Sequence, residues 1–251
     1  MDRENTWPAD VLKFLELHSQ TFLSWELHTI GRFRQKIDPP AYDRATIGLR
    51  SVLNSHLLHG FHCTRLTKEE MQQIERDGMS LPDVSTLHKR ICSIQNAGLI
   101  SPGIASQLRE KNQSSEPNRA KKIWFCFYHP RLAGQHGIER FFRSWGGEAL
   151  YNSHETDPLV GGVLRSIGIP CLIEAEIPII SLRTHSYLTD KIARRFLIIR
   201  GLVTNESVNH DDYAEFAIPA QNIKRNIRYG DSEFDSLTGC NNWQPPLNLD
   251  F

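Results

Sequence analysis

Apolar positions recur at helical spacing through residues 8–58. Val11, Leu12, Phe14, Leu15, Phe22, Leu23, Trp25 and Leu27 form one run, and Ile47, Leu49, Val52, Leu53 and Leu57 form another. Pro8 suits a first helical turn, and Asp38-Pro39-Pro40 interrupts the pattern. This predicts a helical N-terminal layer over residues 1–56, with no flexible linker behind it. A short strand, Leu57–Thr64, follows. Thr67-Lys68-Glu69-Glu70 then reads as a capping box, with Leu66 and Met71 as its hydrophobic staple. The helix it opens is expected to end near Asp77, where Gly78 supplies a left-handed residue. A second helix is predicted over Val84–Ala97, stopped by Gly98.

Residues 110–122 are polar and turn-rich, which predicts an exposed, basic-leaning loop. Beyond it the pattern changes to strands: Ile123–Tyr128, Cys171–Ile180, Arg195–Gly201, Ala214–Ile218 and Ile223–Arg228. One helix, Asp157–Ile167, is expected among them, stopped by Gly168. Residues 231–251 are rich in Gly, Asn and Pro with isolated aromatics, and read as a tail draped over the domain. Helices in front, strands behind and no βαβ alternation indicate an α+β fold. The expected organisation is a 1–56 extension, a 57–230 domain and a 231–251 tail.

Composition narrows the class only a little. The 251 residues suffice for one domain with an extension. Apolar residues are 39% and charged residues 23%, and 29 basic residues balance 29 acidic ones. Bulk charge therefore points to neither nucleic acid nor an anionic membrane, although a neutral chain can still carry a basic groove. The five cysteines are scattered and form no C-x-x-C pair, which favours free thiols in a reducing compartment. The N-terminus has no apolar signal-like run, and no window approaches a membrane helix. A cytoplasmic protein is the expectation.

Three segments carry candidate chemistry: Phe61-His62-Cys63-Thr64-Arg65-Leu66-Thr67, Trp145-Gly146-Gly147-Glu148-Ala149-Leu150-Tyr151 and Ala214-Glu215-Phe216-Ala217-Ile218-Pro219. In an extended segment Ala214, Phe216 and Ile218 share the core face, so Glu215 projects the other way. The competing reading is an ordinary solvent-facing Glu. His62 and Thr64 lie two apart and share a face, while His59-Gly60 offers a second register. Tyr151 follows a tight Gly-Gly turn, or else is simply a core tyrosine. Arg140 and Arg143, just upstream, could grip a pyrophosphate bidentately or lie on the surface. A zinc site at His56, His59 and His62 does not converge on one strand face, and no metal is expected. Glu174 and Glu176 share a strand face but come only about twenty residues after Tyr151, too early for a catalytic strand.

In this order the three segments resemble the His…Tyr…Glu signature of the diphtheria-toxin-like and poly(ADP-ribose)-polymerase-like ADP-ribosyltransferases, over roughly residues 57–228. The surroundings look most like the free-standing bacterial toxin branches. The resemblance implies a split mixed or antiparallel sheet and NAD⁺ as co-substrate. Glu215 would hold the nicotinamide ribose and face the oxocarbenium-like transition state. His62-Cys63-Thr64 would contact the adenosine ribose and the nicotinamide amide, although Cys63 departs from the family's Gly. Tyr151 would stack on nicotinamide. By analogy, the resemblance implies transfer of ADP-ribose to a macromolecule, RNA or DNA favoured over protein, by a toxin or anti-phage effector with a possible antitoxin. Plain NAD⁺ hydrolysis and an inactive NAD- or ADP-ribose-binding module are the alternatives. His62, Tyr151 and Glu215 should then line one cleft, bordered by basic residues such as Arg119, Lys121, Lys122, Lys224 and Arg225.

Overall fold

The computed structural model describes residues 4–29, 31, 37–183, 185–204 and 208–247. In chain order these form α1 (Ala9–Leu17), α2 (Ser19–Thr29), α3 (Pro39–Leu53), β1 (Leu57–Leu66), α4 (Lys68–Asp77), α5 (Val84–Asn96) and α6 (Pro102–Glu110). Then come β2 (Ile123–Cys126), α7 (Gly134–Arg143), α8 (Glu148–His154), α9 (Pro158–Ser166), β3 (Ile169–Pro178), α10 (His185–Ile199), β4 (Asp211–Ala214), β5 (Ile223–Arg228) and α11 (Ser232–Thr238). The fold is α+β.

The strands make one sheet in the order β4-β2-β1-β3-β5, and every pairing is antiparallel. The long β1–β3 ladder runs the full length of both strands. β1 and β2, in contrast, meet in a single pair, Phe61 opposite Cys126. The two ladders, β4-β2 and β1-β3-β5, are thus joined in one sheet through that registered pair.

Cross-strand partners share a face. On the first face, Phe125, Ile173, Ala175 and Ala214 pack with Met71 of α4. On the second, Phe61, Cys63, Leu172 and Ile227 pack under Ile138 and Phe142 of α7 and Phe234 of α11. The tail joins this second core through Leu237 and Trp243. Residues 248–251 of the expected tail lie outside the described residues, as do residues 1–3, 30 and 32–36 of the N-terminal extension.

The helical boundaries follow from local chemistry. Asp38 ends the first apolar run and caps the next helix: its carboxylate accepts from the Ala41 amide, with Pro39 and Pro40 opening the first turn. The capping box at Thr67 and Glu70 is complete in both directions. Gly98 and Gly168 take positive φ where stops were expected.

Two expected strands differ. Of the expected strand Arg195–Gly201, the apolar run up to Ile199 belongs to α10, and Arg200 and Gly201 form the turn after it. Leu188, Ile192, Ala193, Phe196 and Leu197 make one helical face buried against α1–α3. Each large apolar side chain so buried contributes about 1.5–3 kcal/mol, which outweighs the β-branched character of Ile198 and Ile199. The N-terminal helices consequently share a core with a helix from the other half of the chain.

The strand expected over Ala214–Ile218 instead covers Asp211–Ala214, and the chain bends at Glu215 and Phe216. Its partner gives the reason. Lys121 adopts φ 58° and its amide donates to Pro82, so β2 begins only at Ile123 and offers β4 nothing beyond Ala214. Within the loop at 110–122, Ser114 is buried, its hydroxyl donating to Asn112.

Candidate functional site

The junction of β1 with β2 organises the candidate residues. Antiparallel register carries β1 forward from Phe61 through His62 and Thr64 while β2 runs back from Cys126 to Ile123. β4 runs forward again to Ala214, opposite Ile123. Glu215 therefore lies at the same end of the sheet as Thr64, with β2 between their strands.

His62 pairs across to Ile173 and lies on the first face, its ring 6.0 Å from that of Phe125. Nδ1 lies 2.9 Å from the Trp124 carbonyl oxygen. A carbonyl only accepts, so Nδ1 carries the proton and Nε2 keeps its lone pair. Burial, followed by the nearby Arg90 charge, pushes the His62 pKa below its ordinary value, against the pull of the Trp124 carbonyl. The ring is held neutral with an acceptor nitrogen that has no partner among the described residues. Such a nitrogen can take a hydrogen bond from a sugar hydroxyl. Cys63 points to the opposite face, in the second core.

Glu215 is exposed and makes no hydrogen bond or ion pair among the described residues. Ala214, Phe216 and Ile218 pack into the first-face core. Phe216 and Ile218 keep the alternation of β4 past the bend, so Glu215 projects to the face opposite that of His62. The His62 and Glu215 side chains do not touch.

All three segments are tied to α4. Its capping residue Glu70 accepts from the Thr67 amide at 2.8 Å, from Trp145 Nε1 at 2.9 Å and from Arg90 Nε at 2.6 Å. Burial works to raise the Glu70 pKa, but Arg90, Thr67 and Trp145 outweigh it and hold the carboxyl below its ordinary range. The second segment is thereby bound to the first through Trp145, whose ring also lies under the Arg90 guanidinium at 4.7 Å. At the other end of α4, Met79 exchanges backbone hydrogen bonds with Ile218, which binds the third segment to the first. Gly78 takes φ 81°, and a Cβ there would run into the Ile218 carbonyl. Sequence reasoning used Glu70 only as a cap; its link to Trp145 spans 75 positions and carries no local signal.

Tyr151 is not open to a ligand in this conformation. It sits on α8 rather than at a strand end, is 2% exposed, and belongs with the core of the neighbouring helices. The Arg140 guanidinium covers one face of its ring at 4.1 Å, and Phe141 meets it edge-on at 5.9 Å. Burial raises its phenol pKa well above the usual range. Arg140 is further engaged with Glu155 and Asn152, and Arg143 with Glu139 and the carbonyls of Pro245 and Pro246. Neither guanidinium is poised for a pyrophosphate.

The basic residues expected at the border also divide. Arg119 pairs with Glu116 and Glu148. Lys224 and Arg225 stand on β5, the far edge of the sheet from β4, paired with Glu176 and with Glu174 and Glu233. Lys121 is exposed, and Lys122 lies 4.6 Å over the Tyr213 ring. That ring is 4.7 Å from Trp124, which is 44% exposed. An open aromatic pair with a lysine thus stands next to Glu215, a constellation that residue spacing did not reveal.

The three nearby histidines go three ways. His56 meets Asp10, His59 meets Glu176, and His62 meets the Trp124 carbonyl. A cavity of about 420 Å³ lies at the start of β1 and involves His59, Glu174 and Glu176, but not His62, Tyr151 or Glu215. No helix among the described residues is long and apolar enough to cross a membrane. No family model, curated protein or solved structure matches the chain.

Proposed function

We propose that the chain is an NAD⁺-consuming mono-ADP-ribosyltransferase with an ADP-ribosyltransferase-like split sheet, working where β1 meets β2. The observation that carries this reading is the convergence of the three motif segments on α4. His62 and Thr64 stand on one side of that junction and Glu215 on the other. The bond from nicotinamide nitrogen to the ribose breaks, its electron pair passing to the ring, and an acceptor nucleophile adds to the ribose carbon. Glu215 supplies the negative charge that such a cation-like transition state needs. His62 Nε2 accepts from a ribose hydroxyl. The His59 register is disfavoured because its cavity is lined by carboxylates, which repel a pyrophosphate.

The acceptor we favour is nucleic acid. Bases stack on exposed aromatic rings and phosphates seek lysines, and Trp124, Tyr213 and Lys122 offer both beside Glu215. The role of toxin or defence effector in the cytoplasm, with a possible antitoxin, rests on the family resemblance.

One observation favours a second reading, an NAD- or ADP-ribose-binding module without transfer activity: the Tyr151 ring is sealed by Arg140. Incubation with NAD⁺ labelled in its adenylate, together with lysate, separates the readings. Label in the nucleic-acid fraction supports the proposal. Label in protein moves the acceptor, and free ADP-ribose alone makes the reaction hydrolysis. Binding of NAD⁺ by the folded protein without any consumption sinks the enzyme in favour of the module.

A further inference from the structure

The cavity at the start of β1 has a chemistry of its own. Its walls are apolar: Val11 of α1, Leu53 of α3, Ile192 of α10 and Phe61 and Phe127 from the sheet. Three carboxylates, Glu174, Glu176 and Glu233, line it against one guanidinium, Arg225, and with Lys224 paired to Glu176 at 2.7 Å from outside the lining the negative charge is still in excess. An anionic ligand is therefore disfavoured and a cation favoured. At about 420 Å³ the space matches the usual range for small-molecule sites.

The carboxylates are unevenly served. Glu174 is 6% exposed. Its Oε2 accepts from Arg225 Nε at 2.6 Å, but Oε1 is approached only by His59 Nδ1, at 3.5 Å, and receives no hydrogen bond. His59 Nε2 lies 2.8 Å from Glu176 Oε1. Glu174 Oε1 thus has no hydrogen-bond donor among the described residues and can accept one from a ligand in the cavity. The fold supplies the apolar enclosure and the negative end but leaves one donor missing.

We propose that this cavity binds an organic cation, an ammonium or guanidinium head on an apolar stem, with Glu174 and Glu176 accepting from the head and the helical layer enclosing the stem. The head comes from a free amine or from a basic side chain of a partner protein. The site stands apart from the residues assigned to dinucleotide chemistry and does not depend on that assignment.

Benzamidine and benzoate test it, because they share a ring and differ in the sign of the head. Binding to the full chain is measured at pH 7.5 by calorimetry or ligand-observed NMR, without NAD⁺. The expected result is saturable binding of benzamidine and none of benzoate. Glu176→Gln should weaken benzamidine by roughly tenfold or more, the usual effect of losing a charge-assisted hydrogen bond. Glu176 is the less buried of the pair, so this variant should keep the wild-type circular dichroism; Glu174→Gln is the second variant. NAD⁺ consumption, where present, should be unchanged in Glu176→Gln. Agmatine and acetyl-glycyl-arginyl-glycinamide distinguish the sources: preference for the first indicates a free amine, for the second a protein side chain. Equal binding of benzoate, no amidine or amine binding at millimolar concentration, or benzamidine affinity unaffected in both folded variants would overturn the proposal.

Discussion

Glu215 and Tyr151 carry similar local signals in the sequence, and the fold treats them in opposite ways. Glu215 ends exposed just past a strand and without a partner among the described residues, as a charge available to a ligand must. Tyr151 ends in a core, capped by Arg140. The difference was not legible locally, because the capping arginine lies eleven positions upstream on another helix. Glu215→Gln keeps the shape of the side chain and removes its charge. Loss of one preorganised electrostatic contact typically costs on the order of 10²–10³ in rate. The variant should fold and bind NAD⁺ normally yet lose transfer in the labelling assay. As an exposed residue without partners, Glu215 should show a stability change within about 0.5 kcal/mol. Undiminished NAD⁺ consumption by the folded variant would remove Glu215 from the mechanism.

At the scale of elements, α4 was the most legible part of the chain and is the hub of the candidate site. Its cap and glycine stop are local signals, and both are realised, with the staple residues Leu66 and Met71 buried in one core. The local pattern did not show α6, α7, α8 or α11, although Ser101-Pro102 is a cap followed by a first-turn proline. The α10 run and the end of β4 were misread for one reason: each depends on what lies opposite, the apolar faces of α1–α3 in the first case and the left-handed Lys121 in the second. Gly78 joins legible to illegible. Its positive φ follows from the helix stop, but its close approach to Ile218 depends on a contact across 140 positions. Gly78→Ala adds about 1 kcal/mol of backbone strain and a collision with the Ile218 carbonyl that the Met79–Ile218 bridge must absorb. The expected outcome is a loss of about 2 kcal/mol or more in urea denaturation, together with reduced transfer as the Glu215 segment shifts. Wild-type stability in Gly78→Ala would show that the third segment is not held by α4.

Across the whole molecule, two histidines couple the sheet to pH. His210 precedes β4, and its backbone carbonyl accepts from the Phe127 amide, which extends the β4–β2 ladder beyond the Cys126–Asp211 pair. It is 2% exposed, and burial, aided by the charge of Lys191 on α10, lowers its pKa from 6.5 to about 4 despite Asp212 nearby. The His62 pKa is lowered as well, chiefly by burial. Between the folded value and 6.5 the unfolded chain binds a proton that the folded chain refuses. Stability then rises with pH across that window, is fully present above about 6.5, and is lost as pH falls toward about 4. At about 1.4 kcal/mol per pKa unit, His210 alone accounts for roughly 3 kcal/mol, a large share of what a domain of this kind possesses. Buried carboxylates with lowered values, such as Glu70, add their own loss at lower pH, below the ordinary carboxylate range. Urea denaturation at pH 7.5, 6.0 and 5.0 should therefore show a falling midpoint well before carboxylates titrate. His210→Gln stays neutral throughout, so it should show a shallower decline over the same range, whatever its stability at pH 7.5. An equal slope in the variant and the wild type would assign the acid sensitivity elsewhere and free His210 of this role.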